Sequence, residues 1–296
     1  METQSRVLDD GTAGTVVVGE RPVRRMGFGA MRISGARNAA GVRDRGTAVE
    51  LVRSVRARGV QFFDTANIYG YGQSEEIIAE ALAPYPDDVL IATKAGFRPG
   101  KIPPGETSLP PLGRPEHIRA ECEQSLRRLG VDCLDLYIVH VPDPEVPYAD
   151  TVGTFAELQQ AGKVRHVGIS NVTPAQLRTA QDLVPVVAVE NRYSVGDRES
   201  EAVLTACEEQ GIAFLPYSPL KSADGPVGAA LAEIATGRGV LVHQVALAWL
   251  LQRSPVMLPI PGTSQLGHAA DNIDAAWLEL SADELARLDV GRPHAA

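Results

Sequence analysis

The chain is short of the residues on which several protein classes depend. Its 296 residues include only three cysteines, Cys122, Cys133 and Cys207. They are odd in number and far apart, which argues against a disulfide framework and a Cys-x-x-Cys motif and fits a reducing, cytoplasmic setting. Basic residues are outnumbered, 28 Lys and Arg against 37 Asp and Glu, for a formal charge of −9. That is the wrong sign for a nucleic-acid partner. No apolar run approaches the ~20 residues of a membrane span, and the N-terminus shows no basic region followed by an apolar stretch, so no membrane partner and no signal segment are expected. The six histidines, His117, His140, His166, His243, His268 and His294, form no His-x-His or His-Glu-x-x-His pair, which counts against a metal-dependent hydrolase and leaves no metal site to assign. Neither Gly27-Phe28-Gly29-Ala30-Met31-Arg32 nor Gly70-Tyr71-Gly72-Gln73-Ser74-Glu75 carries the third glycine of a dinucleotide fingerprint, as an open doubly wound sheet would. No Pro/Ser-rich linker divides the chain.

What is present is an alternation of short apolar runs with amphipathic ones. Candidate strands are Arg24–Met31, Val60–Asp64, Val89–Lys94, Cys133–His140, Val164–Ile169, Val186–Glu190, Ile212–Tyr217 and Val256–Ile260. Helical spacing follows each of them. Ala48, Leu51, Val52 and Val55 share a face of Thr47–Arg58, and Ile118, Cys122, Leu126 and Leu129 share a face of Pro115–Leu129. Ser74 reads as an N-cap, with Glu75 and Glu76 in the first turn beside the helix dipole. Thr173-Pro174 with Gln176, and Ser281 with Glu284, read as capping boxes. Eight strand–helix units of this length predict a single α/β domain, a (β/α)8 TIM barrel over 16–296, with residues 1–15 disordered. The Pro- and Gly-rich segment Gly96–Arg114 is too long for an ordinary connection and is expected over the barrel mouth.

In such a barrel the chemistry lies at the C-terminal strand ends. Those ends carry Asp64 and Tyr69, Lys94, His140, Ser170 and Asn171, Glu190 and Asn191, Tyr217 and Ser218, and Gly262, Thr263 and Ser264. A charge ending an apolar strand is costly to bury unless it is paired or used. A free tyrosine, with a pKa of about 10, is a poor acid at neutral pH, and a nearby ammonium favours its phenolate. An aspartate would hold that lysine, and a histidine would orient a carbonyl oxygen. Each residue alone has a plain structural explanation: a turn aspartate, a rim tyrosine, a snorkelling lysine, a satisfied histidine. Four on three consecutive strand ends point instead to a general acid for an oxygen that becomes an alkoxide.

These residues resemble a known family. Phe63-Asp64-Thr65-Ala66-Asn67-Ile68-Tyr69-Gly70 with Ser74-Glu75, Ile91-Ala92-Thr93-Lys94, Leu134-Asp135-Leu136-Tyr137 leading to His140, Gly168-Ile169-Ser170-Asn171, Leu215-Pro216-Tyr217-Ser218-Pro219-Leu220 and Ile260-Pro261-Gly262-Thr263 with Asp271-Asn272 are similar to the signatures of the aldo-keto reductases. Pro84-Tyr85-Pro86-Asp87-Asp88 and Gly113-Arg114-Pro115-Glu116-His117 resemble the bacterial branch that includes pyridoxal reductases. The resemblance implies NAD(P)H-dependent reduction of a small-molecule aldehyde or ketone. Tyr69 would be the acid, Asp64 and Lys94 its tuning pair, and His140 the orienter. Ser170, Asn171 and Glu190 would meet the nicotinamide carboxamide, and Tyr217 would stack on its ring. Ser218, Pro219 and Leu220 would line the pyrophosphate. Thr263, Ser264, His268, Asp271 and Asn272 would hold the adenosine end, with Gly29, Ala30 and Met31 close to nicotinamide and substrate.

Two positions depart from the family. Glu190 stands where glutamine is usual; an ionised form is expected in a polar mouth, ahead of a form kept protonated by burial that would mimic the missing amide donor, with pairing to Arg192 or Lys163 as the structural alternative. Gly262 and His268 stand where cations often grip a 2′-phosphate, so NADPH leads and NADH stays open. The chain also ends soon after its last helix, so an open substrate end is expected, lined by Arg32, Tyr71, Phe97 and Pro142 beside Met31, with Arg32 and Lys221 as candidate anion contacts. Rival functions are an NADPH-binding sensor barrel with little turnover and a Schiff-base lyase using Lys94.

Overall fold

The computed structural model describes residues 6–37, 40–42, 44–102, 108–221 and 224–289. The chain enters through an antiparallel hairpin, β1 (Thr15–Val18) and β2 (Arg21–Arg24). Seven parallel strands follow in chain order around one sheet: β3 (Phe28–Gly29), β4 (Phe62–Asp64), β5 (Leu90–Ala95), β6 (Leu134–Val139), β7 (Val164–Ser170), β8 (Val186–Arg192) and β9 (Ala213–Tyr217). The expected first strand, Arg24–Met31, is thus divided between the end of the hairpin and a two-residue barrel strand.

The expected eighth strand, Val256–Ile260, occupies its place without a regular ladder. On one side Phe214 N donates to Val256 O at 2.9 Å and Leu258 N to Phe214 O at 2.8 Å. On the other side Gly27 N donates to Pro259 O at 2.9 Å and Gly29 N to Pro261 O at 3.2 Å. Pro259 and Pro261 have no N–H and can only accept, so continuous pairing is impossible there. The contacts nevertheless join β9 to β3 and close a (β/α)8 barrel.

The helices are α1 (Arg45–Ala57), α2 (Gln73–Leu82), α3 (Pro115–Leu129), α4 (Tyr148–Gln160), α5 (Pro174–Gln181), α6 (Glu201–Gln210), α7 (Gly225–Arg238), α8 (Val242–Arg253), α9 (Leu266–Asp274) and α10 (Ala282–Leu288). Their apolar faces are those the spacing predicts: Ala48, Leu51, Val52 and Val55 of α1, and Ile118, Cys122, Leu126 and Leu129 of α3, are buried against the barrel. Both predicted capping boxes form, at Thr173 and at Ser281. The start of α1 differs. Asp44 caps it, accepting from Thr47 N at 2.7 Å. The start of α2 also differs: Gly72 is the cap residue, in a left-handed conformation, and Ser74 lies inside the helix. Among the described residues no single helix is long and apolar enough to cross a membrane.

The expectation of disorder over 1–15 is corrected from Arg6 onward; residues 1–5 lie outside the described set. Leu8 is buried and its N–H donates to Arg58 O at 2.9 Å. The hairpin lies across the N-terminal strand ends. Arg21 Nη1 donates to Val89 O at 3.0 Å, and Arg24 N to Gln61 Oε1 at 3.1 Å. It covers the face of the barrel opposite the strand ends that carry the candidate site.

At the closure, Gly29 and Gly262 meet backbone to backbone. A Cβ on Gly262 would lie 2.7 Å from Gly29 O, and one on Gly29 would lie 2.6 Å from Ile260 O. Gly262→Ala should therefore destabilise the fold by about 1–3 kcal/mol in denaturant titration, because neither backbone can yield cheaply. Gly153→Ala, in α4 with open space at the Cβ position, serves as control and should be neutral or stabilising by up to ~1 kcal/mol. Equal stability of the two variants would refute a close-packed seam.

Candidate active site

Lys94 on β5 is the centre of the site. Its side chain is fully buried at the C-terminal end of the strand, where its Nζ donates to Asp64 Oδ1 and, at 2.9 Å, to Thr65 O. Glu190 Oε2, on β8 across the barrel, lies 3.3 Å from the same nitrogen. Burial alone would discharge this ammonium, but the carboxylates of Asp64 and Glu190 outweigh it and hold the lysine pKa above its ordinary range. Burial also pushes both carboxyls up, Glu190 to about 8 with the charge of Asp64 adding, while Lys94 opposes. Asp64, with the direct hydrogen bond, is the better-compensated of the two.

Tyr69 leans over this group: Lys94 Nζ is 5.2 Å from its ring centroid. The tyrosine is placed by a tight loop after β4. Tyr69 N donates to Ala66 O, Tyr71 N to Ile68 O and Ser74 N to Tyr69 O. Gly70, Tyr71 and Gly72 all adopt positive φ, at 61°, 59° and 89°. Glycine takes that conformation freely, whereas Tyr71 does so at a cost of about 1–2 kcal/mol. The expected lowering of the Tyr69 pKa by lysine is not the net result. Burial raises it, Lys94 opposes, and Asp64 and Glu190 add to the rise.

His140 follows β6 and its ring meets Tyr69 edge-on at 6.0 Å and Phe97 at 4.7 Å. Its Nδ1 is buried with no hydrogen-bond partner. Burial and then the nearby Lys94 charge hold its pKa well below the ordinary histidine value, so the ring is neutral. Asn171 supports the same corner. Its φ is 58°, its Nδ2 donates to His140 O at 2.9 Å and to Ser170 Oγ at 3.1 Å, and its Oδ1 accepts from Tyr217 Oη at 2.6 Å. Ser170 pairs in register with Glu190. The structure thus brings Asp64, Tyr69, Lys94, His140, Ser170, Asn171, Glu190 and Tyr217 to one end of the barrel.

Other candidates line its rim. Gly29 ends β3 in register with Asp64, and Ala30 opens the 3-10 turn that follows. Met31 is 55% and Tyr71 65% exposed, and Arg32, Ser218 and Leu220 are exposed, whereas Pro219 is buried. Phe97 and Pro142 are half-buried. Thr263 and Asn272 are buried, Ser264 and Asp271 half-buried, and His268 exposed on α9.

Three assignments are corrected. Glu190 does not pair with Arg192 or Lys163: Arg192 sits 5.6 Å over the Tyr217 ring, and Lys163 binds Glu123. The Glu190 carboxyl is buried beside Lys94 and Asp64, and burial together with the Asp64 charge disfavours the expected ionised form. Lys221 is not a free anion contact, because its Nζ is held by Asp197 Oδ2 at 2.9 Å. Ser74 is not the N-cap of α2; Glu75 lies in the first turn as expected, and both side chains are buried. Ser74 Oγ lies 2.7 Å from Thr65 Oγ1 and donates to Ala30 O at 3.0 Å. Glu75 accepts from Thr93 Oγ1 at 2.6 Å and from Arg128 Nη1 at 2.5 Å. This network ties α2 and α3 to the residues flanking Asp64 and Lys94, and sequence spacing gave no sign of it.

The Gly96–Arg114 segment, whose residues 103–107 lie outside the described set, folds back on itself. Arg98 N donates to Pro110 O at 2.8 Å and Leu112 N to Gly96 O at 2.7 Å. Asp143 Oδ2 accepts from Gly113 N at 2.8 Å and Thr151 Oγ1 donates to Gly113 O at 2.8 Å. The clamp keeps Phe97 against His140, over the mouth as expected.

The model of the aldo/keto reductase family matches residues 25–225 and 226–290. The chain is 41% identical over 286 residues to an uncharacterised oxidoreductase of Schizosaccharomyces pombe, covering 96% of this chain and 92% of the relative. It is 38% identical over 284 residues to pyridoxine 4-dehydrogenase of Escherichia coli, covering 94% and 98%. Among solved structures, an aldo-keto reductase from Klebsiella pneumoniae in complex with NADPH superposes with a TM-score of 0.77 at 27% identity, covering 93% of each chain. The protein belongs to the aldo/keto reductase family and is an oxidoreductase.

A neutral, buried His140 has a measurable signature. Its folded pKa lies below the ordinary value of 6.5, so the folded state excludes a proton that the unfolded chain binds, and this group lowers stability as pH falls below 6.5. The His140 ring resonances should stay in their neutral position in NMR titration from pH 8 to pH 5. Protonation near pH 6.5 would overturn the assignment.

Proposed function

We propose that the protein reduces an aldehyde or ketone to an alcohol, with NADPH as the reductant and Tyr69 as the proton donor. The observation that carries the reading is the arrangement at the strand ends: a buried Lys94–Asp64 pair beneath Tyr69, with a neutral His140 against it. The donor set around it fits a nicotinamide dinucleotide. Ser170 would offer a hydroxyl to the carboxamide beside His140, Asn171 would meet the same group by exchanging one of its present hydrogen bonds to His140 O, Ser170 and Tyr217, and the half-buried Tyr217 offers an aromatic face. Thr263 and Ser264 precede α9, whose first turn has no side-chain cap, so its free N–H groups suit a phosphate. Ser218, Pro219 and Leu220 would run along the pyrophosphate, and His268, Asp271 and Asn272 would meet the adenosine end. NADPH binding in the Klebsiella relative supports the same choice, with NADH as the weaker alternative.

Bound NADPH would supply the hydride; the chain's own residues handle the proton and the oxygen. Tyr69 Oη protonates the oxygen that gains charge. Lys94, held charged by Asp64, stabilises the phenolate left behind. A neutral imidazole at His140 donates to the carbonyl oxygen and orients it without competing as a charged acid. Phe97 and Tyr71 would wall the substrate side, with Arg32, Met31 and Pro142 at its edge. An aromatic aldehyde of the pyridoxal type is the first substrate to try, supported by the relationship to E. coli pyridoxine 4-dehydrogenase. The complete group of four residues favours turnover over a sensor role. It also disfavours a Schiff-base lyase, since Lys94 is charged and engaged on three sides and makes a poor nucleophile.

Tyr69→Phe should lower NADPH-dependent reduction of pyridoxal and of a panel of simple aldehydes by at least about a hundredfold, because the proton is lost at the transition state. Cofactor affinity, read by fluorescence titration, should change only a few-fold. Lys94→Met should lose activity as well. Substantial turnover by Tyr69→Phe would refute the assignment.

A further inference from the structure

One buried group has no part in this scheme: the second carboxyl on Lys94. One ammonium needs one counter-charge, yet the side chains of Asp64 and Glu190, each 4% exposed, both face a lysine that is 0% exposed. Asp64 and Thr65 O take two of the lysine's three N–H groups, and Glu190 Oε2 stands 3.3 Å from the nitrogen with no hydrogen bond of its own. Two ionised carboxylates would leave an uncompensated negative charge in the barrel, the arrangement burial penalises most. A proton on one of them makes the cluster neutral. Asp64 holds the direct bond to Lys94, so the proton belongs to Glu190.

We infer that Glu190 is a positioning residue that keeps a proton in the resting enzyme, and that this proton leaves the charge of Lys94 free to act on Tyr69. This rests on Tyr69 being the acid, as proposed above. With Glu190 protonated, the cluster beneath Tyr69 is one cation and one anion, and the cation lies against the ring. With Glu190 ionised, a second anion cancels the lysine and opposes the phenolate. The charged and titratable groups around Glu190 are Asp64 from β4, Lys94 from β5 and Tyr69 from the following loop. Its ladder neighbours, Ser170 on β7 and Leu215 on β9, are uncharged. His140, after β6, is neutral, and Arg192, on the same strand, is engaged with Tyr217 at the rim. The upward shift of Glu190 to about 8 agrees with the charge count. A glutamine at 190 would have the same shape and no proton to lose, so glutamate adds an ionisation to an otherwise fixed site.

The test compares wild type with Glu190→Gln and Glu190→Asp, first without cofactor. Glu190 in the folded state keeps a proton up to about pH 8, whereas the unfolded chain releases it near 4.5. Its contribution to stability is therefore fully present below pH 4.5 and is lost as pH rises to 8. The melting temperature of wild type should fall relative to Glu190→Gln across that window, and Glu190→Asp should restore a pH-dependent difference. Tyr69 ionisation is read as the tyrosinate absorbance that Tyr69→Phe removes. It should move to lower pH, by a unit or more, in Glu190→Gln. In turnover, the alkaline limb of kcat should begin near pH 8 in wild type and lie at least a unit higher in Glu190→Gln, each relative to its own plateau. A pH-independent difference in melting temperature, or an unmoved tyrosinate titration, would overturn the inference even if carbonyl reduction is confirmed. Absence of turnover with every carbonyl would instead sink the proposed function, and the two apoprotein readouts would still decide where the proton is.

Discussion

A buried ammonium at the end of β5 is the constraint around which this molecule is arranged. Lys94 cannot be taken out of water without partners, since the desolvation cost is several kcal/mol for each ion. Its partners come from three separate places: Asp64 at the end of β4, the Thr65 carbonyl just beyond it, and Glu190 across the barrel on β8. Only a closed barrel brings β4, β5 and β8 to bear on one nitrogen. The closure is therefore part of the electrostatics, and it depends on a run with two prolines that can accept hydrogen bonds but not donate them, and on two glycines that let backbones touch. Side chains at the seam would hold β3 away from 260–262 and spread the ring of strand ends.

The two ends of the barrel divide the work. The hairpin and the arginines Arg21, Arg24 and Arg25 bind backbone carbonyls and side chains at the strand starts, satisfying groups that a barrel end leaves open. Among the described residues the other end has no hairpin of this kind, and the Gly96–Arg114 segment lies over its mouth. There the buried polar atoms without a hydrogen bond include His140 Nδ1 and Glu190 Oε2, both in the ring of residues around Lys94. Buried groups of this kind are costly, and they persist where a ligand or a proton completes them. The clamp of Asp143 and Thr151 on Gly113 fixes one wall of the opening after β5, and the left-handed turn through Gly70, Tyr71 and Gly72 fixes the neighbouring one after β4.

How much of this the sequence discloses depends on whether the information is periodic. Helix faces and strand runs repeat, so α3, α5 and β7 fall almost where spacing puts them, and the polar residues that end the strands follow from the strands. Single contacts across the fold do not repeat. Val16–Val18 is too short an apolar run to declare a hairpin before the pairing is seen. Ser74 and Glu75 look like helix-start residues because the same side chains suit an N-terminus. Their burial follows instead from α3 bringing Arg128 over them, which no local pattern encodes. Lys221 reads as a free cation until the Ser194–Asp197 bend places a carboxylate beside it. Glu190 could be recognised as out of place, but its charge state depends on the depth at which β8 ends and on which cation lies opposite.

Burial, and then the charge of Asp64, explain why the lysine alone does not make Tyr69 a strong acid. A cation 5 Å away in a medium of effective dielectric ~20 is worth about 3 kcal/mol to a phenolate, and an anion at comparable range removes a similar amount. The effect of Lys94 on Tyr69 is therefore a difference between nearly equal terms, and in the absence of bound cofactor burial tips the balance upward. Changing one carboxyl from charged to neutral alters that difference more than moving any of the side chains by a few tenths of an ångström. The fold holds the distances, and the count of protons in the cluster sets the chemistry those distances support.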